Sequence, residues 1–201
     1  MAQSHAFFVY SKIILKKMTE MNALILVGGK SSRMGEDKFL LDFNGQPQYE
    51  FLTEILQGLA IKTYLSCAED QRVLIPDHYN LIYDIHQNIG PIGGIASAID
   101  MDAHTDWLVI ACDLVNLDKK TIQELITQDA SGFDVITFGL PENQFLETTI
   151  TLYKPSSFPT IRSMIENQQY KLQKVLKEMA VKVVIPSDPT RLKNVNTPKD
   201  L

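Results

Sequence analysis

The run Ala23-Leu24-Ile25-Leu26-Val27-Gly28-Gly29 leads directly into Lys30-Ser31-Ser32-Arg33-Met34-Gly35-Glu36-Asp37-Lys38. Five apolar residues stopped by a glycine pair read as a short strand buried on both faces, as in a central parallel sheet. The loop after it is rich in glycine, so backbone amides can approach a phosphate with no side chain between. Ser31, Ser32, Arg33 and Lys38 add donors and positive charge. The loop therefore suits a triphosphate cradle, although alone it also reads as a solvated turn between strand and helix. Two commoner phosphate loops fail here. A Walker A loop ending in Gly29-Lys30-Ser31 needs glycine at position 24, which is leucine, and the dinucleotide Gly-x-Gly-x-x-Gly spacing is absent.

Outward from this strand, apolar runs predict further strands over 63–65, 81–83, 107–111, 134–138, 150–153 and 181–185. Helical spacing predicts helices over 52–59, 119–128, 156–167 and 171–179, and one beginning near Ile95 after the loop Gly90-Pro91-Ile92-Gly93-Gly94. Strands alternating with helices imply an α/β fold. We expect a Rossmann-like three-layer sandwich with a mainly parallel sheet. Ligands of such sheets bind outside the carboxyl ends of the strands. Gly28-Gly29 ends the first predicted strand, Asp84 the third and Asp113 the fourth. Trp107 is read as core, and Cys112 as a small buried residue rather than a nucleophile.

The 201 residues suit one domain, expected over 21–201. Residues 1–20 read as an N-terminal extension, with disorder and a natural start at Met21 both open to it. In this extension the apolar Phe7-Phe8-Val9-Tyr10 precedes Lys12, Lys16 and Lys17, the reverse of a secretory signal. No apolar run approaches the length needed to span a bilayer, so no membrane partner is expected. A formal net charge of -5 with scattered basic residues argues against a nucleic-acid partner. The two cysteines, Cys67 and Cys112, make no disulfide framework, and the cytoplasm is the expected location. The four histidines show no metal-ligand spacing.

The string Leu26-Val27-Gly28-Gly29-Lys30-Ser31-Ser32-Arg33-Met34-Gly35-Glu36-Asp37-Lys38 resembles the signature of the molybdenum cofactor guanylyltransferase family. Further matches follow in order: Asn44-Gly45-Gln46-Pro47, Gly90-Pro91-Ile92-Gly93-Gly94, Ala111-Cys112-Asp113 and Asn194-Val195-Asn196-Thr197-Pro198. The resemblance covers residues 21–201. It implies a nucleotidyltransferase fold and a Mg2+-dependent transfer of GMP from GTP to the terminal phosphate of molybdopterin.

Roles follow residue by residue from that resemblance. Leu26, Val27, Gly28 and Gly29 would hold guanine and phosphates through the backbone. Ser66, Asp84 and Gly93 would contact the nucleotide, with Asp84 near the base or ribose. Asp113 would bind magnesium and through it the phosphates. Arg33 and Lys38 would stabilise the departing pyrophosphate. Asn194 and Asn196 would line the acceptor side. The sequence departs from the family at Val27, where alanine is usual, and at Ser66, where asparagine is frequent. The implied partners are GTP, molybdopterin, other cofactor-biosynthesis proteins and a recipient molybdoenzyme. Two other readings stand beside this one. One is a cytidylyltransferase acting on molybdopterin or another phosphorylated metabolite, which the Gly28-Gly29 pair disfavours. The other is a non-catalytic nucleotide or cofactor carrier, which Lys38 and Asp113 disfavour.

Overall fold

The computed structural model describes residues 17–28, 38–43, 45–140 and 145–195. Seven strands form one sheet: β1 (Met21–Leu26), β2 (Lys62–Cys67), β3 (Leu81–Tyr83), β4 (Asp106–Ala111), β5 (Val135–Leu140), β6 (Phe145–Tyr153) and β7 (Val181–Val184). Their order is β3-β2-β1-β4-β6-β5-β7. Every neighbouring pair is parallel except those of β6, which runs antiparallel to β4 and β5. The helices are α1 (Gln48–Gln57), α2 (Pro91–Met101), α3 (Lys119–Ile126), α4 (Phe158–Glu166) and α5 (Leu172–Lys177).

All six residues of β1 are buried, and the pleat sends them alternately to two cores. Ala23 and Ile25 pack with Leu52 and Leu56 of α1 and with Ile122 and Leu125 of α3. Leu24 and Leu26 pack with Ile92 and Ile95 of α2, and the same layer holds Phe158 and Ile161 of α4 and Val175 and Leu176 of α5. Two cores on one strand explain why its residues are apolar rather than alternating from Ala23 onward, while Asn22, the one polar residue of β1, donates to Asp102 Oδ2 at 3.3 Å. The expected three-layer sandwich is the observed one. Trp107 belongs to the second core, fully buried, with its indole N–H donating to Asp102 O at 2.9 Å.

Several element boundaries differ from expectation. The helix expected near Ile95 begins at Pro91, so Gly93 and Gly94 lie inside α2. Gly90, at φ 76, turns the chain, and Pro91 then fits the first helical position. Glycine is a poor helix former, which is why the segment reads as loop. Tertiary contact decides otherwise. A Cβ on Gly93 would lie 2.2 Å from His86 O, and one on Gly94 2.3 Å from Ser66 Oγ. Strand β6 starts at Phe145, five residues before the predicted start at Ile150. Of the segment 1–20, residues 17–20 are described, and Met18 is packed in the first core, 5% exposed. A 3-10 turn over Glu69–Leu74 follows β2 and had no clear signal in the sequence.

Because the atom that opposes a Cβ at Gly93 is backbone, Gly93→Ala should cost about 1–3 kcal/mol, the usual range for overpacking. Urea unfolding followed by circular dichroism measures it, and an unchanged midpoint would refute the close approach.

Candidate active site

Parallel register brings the carboxyl ends of β1, β2, β3 and β4 to one edge. Leu26 pairs with Ser66 on one side and Ala111 on the other, and Cys67 pairs with Tyr83. Hydrogen bonds continue past the strands. Ser66 O accepts from both Val27 N (3.1 Å) and Gly28 N (3.2 Å), Cys67 O from Asp84 N (3.0 Å), and Leu26 O from Cys112 N (3.4 Å). Above this edge opens a cavity of about 1000 Å³. Its walls are Leu26, Val27 and Gly28 after β1, and Ser66, Ala68, Glu69 and Asp70 after β2. Asp84, His86, Gln87 and Asn88 follow β3, Gly90, Pro91 and Gly94 open α2, and Ala111, Cys112 and Asp113 follow β4.

Asp84 stands between two glycines. A Cβ on Gly28 would come within 3.1 Å of Asp84 Oδ2, and one on Gly94 within 3.2 Å of Asp84 Oδ1. The Ser66 hydroxyl donates to Asp84 Oδ1. Burial pushes the Asp84 carboxyl above its ordinary value, and the Ser66 hydrogen bond opposes that push. Ser66 thus makes a carboxylate contact that fixes Asp84, in addition to lining the cavity.

Asp113 lies in the turn after β4. Its carbonyl accepts from Val115 N (3.1 Å) and from Val195 N (3.0 Å), so a segment some eighty residues downstream is tied to it. The fully buried Gln48 of α1 braces the same turn by donating to Leu114 O at 3.1 Å. Asn194, next to Val195, has a buried Oδ1 that accepts no hydrogen bond among the described residues. A buried amide oxygen without a partner is costly and points to a ligand.

Several expected site residues are thereby gathered: Leu26, Val27, Gly28, Ser66, Asp84 and Asp113 line one cavity, with Asn194 beside Asp113. Gly93 is not among the residues that line the cavity: its Cα faces His86 O, and the helix glycine on the cavity wall is Gly94. The amides of Val27 and Gly28 donate to Ser66 O. Gly29, Arg33, Asn196 and the side chain of Lys38 lie outside the described residues. Sequence reading missed Glu69, Asp70, His86, Gln87 and Asn88. Their polar character carried no signal, because surface turns share it.

Charge in the cavity is one-sided. Glu69, Asp70, Asp84 and Asp113 supply four carboxylates, and no lysine or arginine is among the described lining residues. Among the described residues, no three His, Cys, Asp or Glu side chains converge on a metal position.

A family model described as the MobA-like NTP transferase domain matches residues 23–183. A molybdenum cofactor biosynthesis bifunctional protein of Synechocystis is 26% identical over 183 residues, covering 90% of this chain. This chain spans about half, 53%, of that relative's length. A probable molybdenum cofactor guanylyltransferase of Synechococcus elongatus is 31% identical over 198 residues, covering 89% of this chain and 94% of the relative. Among solved structures, molybdopterin-guanine dinucleotide biosynthesis protein A of Archaeoglobus fulgidus shares the fold with a TM-score of 0.74 at 20% identity. That match covers 90% of this chain and 94% of the other.

Asp84 offers a test that separates fold from function. A carboxyl raised in the folded state binds its proton more tightly there than when unfolded. Its contribution to stability is therefore lost as pH rises from the unfolded value through the folded one. Asp84→Asn removes that cost, so its melting temperature at pH 7 should exceed that of the parent. The advantage should shrink as pH falls toward 3.8, while nucleotide affinity drops. Thermal melts across that pH range check the sign, and a variant less stable at pH 7 would contradict the burial argument.

Proposed function

Because the chain belongs to the MobA-like NTP transferase domain family, and so to the nucleotidyltransferases, we propose that it transfers GMP from GTP to the terminal phosphate of molybdopterin. A phosphate oxygen of the acceptor bonds to the α-phosphorus of GTP. The bond from that phosphorus to the bridging oxygen breaks, and pyrophosphate leaves with the electron pair. The nucleophile is already anionic, so no general base is needed, and catalysis is positioning and charge neutralisation.

The observation that carries this reading is the placement of Asp113 at the edge of a nucleotide-sized cavity, opposite the Ser66–Asp84 pair. Asp84, Ser66, Gly28 and the neighbouring backbone hold the nucleoside end. Asp113 stands where the α-phosphate is to lie. The donor set fits magnesium, since Asp113 offers a hard carboxylate oxygen and Mg2+ takes one or two carboxylates while keeping waters and phosphates. When bound there, the ion supplies charge neutralisation between the two anionic reactants. The acidic lining makes further cations necessary, and Arg33 and Lys38 fill that role in our reading.

The acceptor is assigned to the opposite side of Asp113. A small pocket of about 130 Å³ is lined by Gly139, Phe145, Glu147, Pro186, Pro189 and Leu192. Leu192 leads within three residues to Val195 on Asp113, and Asn194 and Asn196 belong to this acceptor side in our reading. One catalytic domain over 21–201, carrying the segment 1–20, completes the assignment. No helix among the described residues is long and apolar enough to cross a membrane. Cys67 and Cys112 are both buried and form no disulfide, which supports a cytoplasmic site of action. The product would pass to a recipient molybdoenzyme or to another protein of cofactor biosynthesis.

Calorimetric titration with GTP, CTP, ATP and UTP, each with and without magnesium, tests the donor. We expect binding of GTP alone, tightened by magnesium. Preference for CTP would replace the guanylyl reading with the cytidylyl one. Asp113→Asn should lower turnover by roughly 10²–10³-fold, and a variant that kept full turnover would remove Asp113 from the chemistry.

A further inference from the structure

His86 lines the nucleotide cavity, yet nothing in the reading above uses it. Its position is held from three directions. The Ser97 hydroxyl of α2 accepts from Ile85 N at 3.0 Å and donates to Gly93 O at 2.9 Å, pinning the chain just before His86. The carbonyl of His86 rests on the bare Cα of Gly93. The ring is tied through Nε2 to Asp100 Oδ2 at 2.9 Å, and Arg162 of α4 donates to Asp100 Oδ1 at 3.0 Å.

Burial works to raise the Asp100 carboxyl, but the hydrogen bonds from His86 and Arg162 outweigh it and hold Asp100 below the usual carboxylate range. An ionised carboxylate only accepts, so His86 Nε2 carries the proton. With Nε2 as the donor to Asp100, Nδ1 is the ring atom that can accept. Side-chain exposures of 34% for His86, 37% for Asp100 and 51% for Arg162 leave these ion pairs near solvent. Pairs this exposed contribute little to stability. Stability thus gives little reason for a relay of three residues ending at a cavity wall. Fixing a tautomer by a carboxylate is the way a histidine is prepared for a ligand.

We propose that His86 is a nucleoside-binding residue of this site. Its Nδ1 accepts a hydrogen bond from a donor of the bound nucleoside, either the guanine 2-amino group or the ribose 2′-hydroxyl, and Asp100 and Arg162 are positioning residues that act through it. This rests on the donor reading above.

Two substitutions split the histidine's functions. In His86→Asn the amide oxygen can stand near the Nδ1 position while the tie to Asp100 is lost. In His86→Gln the amide nitrogen can keep that tie while the acceptor is lost. We expect His86→Gln to raise the KM for GTP about 3–10-fold, the worth of one hydrogen bond, with kcat unchanged and melting temperature retained. His86→Asn should recover part of the affinity. Asp100→Ala should raise KM less, and not at all in a His86→Ala background. The penalty of His86→Gln should vanish with inosine triphosphate if the guanine 2-amino group is the donor, or with 2′-deoxyGTP if the ribose is. Recovery by Gln but not by Asn, an equal penalty with all three nucleotides, or no penalty would each overturn the proposal. A parent protein that used CTP would instead overturn the donor reading. The same variants assayed with CTP and 2′-deoxyCTP would then judge His86 separately.

Discussion

No side-chain atom fits between the first turn of α2 and the ends of β1 and β2, and the site depends on that contact. Gly94 lets the helix rest against Ser66 and Leu26, and Gly93 lets it rest against the carbonyl of His86. The loop from Asp84 to Gly90 is consequently clamped between β3 and α2. Asp84 is delivered to the cavity with Gly28 on one side and Gly94 on the other, and Ser66 holds its carboxylate. The two glycines in the helix lower its intrinsic propensity. Burial of Ile92, Ile95 and Ile99 in the second core offsets that loss.

The second determinant is charge. A cavity with four carboxylates and no described lysine or arginine on its walls repels a triphosphate unless cations enter with it. In sequence, Lys30, Arg33 and Lys38 are the cations that follow β1. In the proposed function a divalent ion held by Asp113 would supply the rest. The backbone of Asp113 is fixed from two sides: Val195 and Val115 bond to its carbonyl, and Gln48 holds the next residue.

Strand β6 divides the sheet. Being antiparallel, it carries its amino-terminal half to the edge where the parallel strands end. A large cavity lies over β3-β2-β1-β4, and a small apolar pocket lies beside β5 and β6 at Pro186–Leu192.

Much of this was legible in the sequence because it is local. The apolar run from Ala23 to Val27 identifies a strand buried on two faces, since a strand with cores on both sides favours apolar residues at successive positions. The carboxyl-end placement of Gly28, Asp84 and Asp113 follows from strand-helix alternation. Trp107 as core and Cys112 as a buried small residue follow from their apolar flanks. What tertiary structure alone decided is everything that joins distant segments at close range. Gly93 and Gly94 read as loop because propensity is local, whereas their helical state is set by atoms of Ser66 and His86 pressed against them. The gathering of Asp113 with Val195, of Ser66 with Asp84, and of His86 with Asp100 and Arg162 leaves no periodicity in the chain. Periodicity records which face a residue presents, while the identity of the residue it meets is fixed only when the sheet register and the helix docking close.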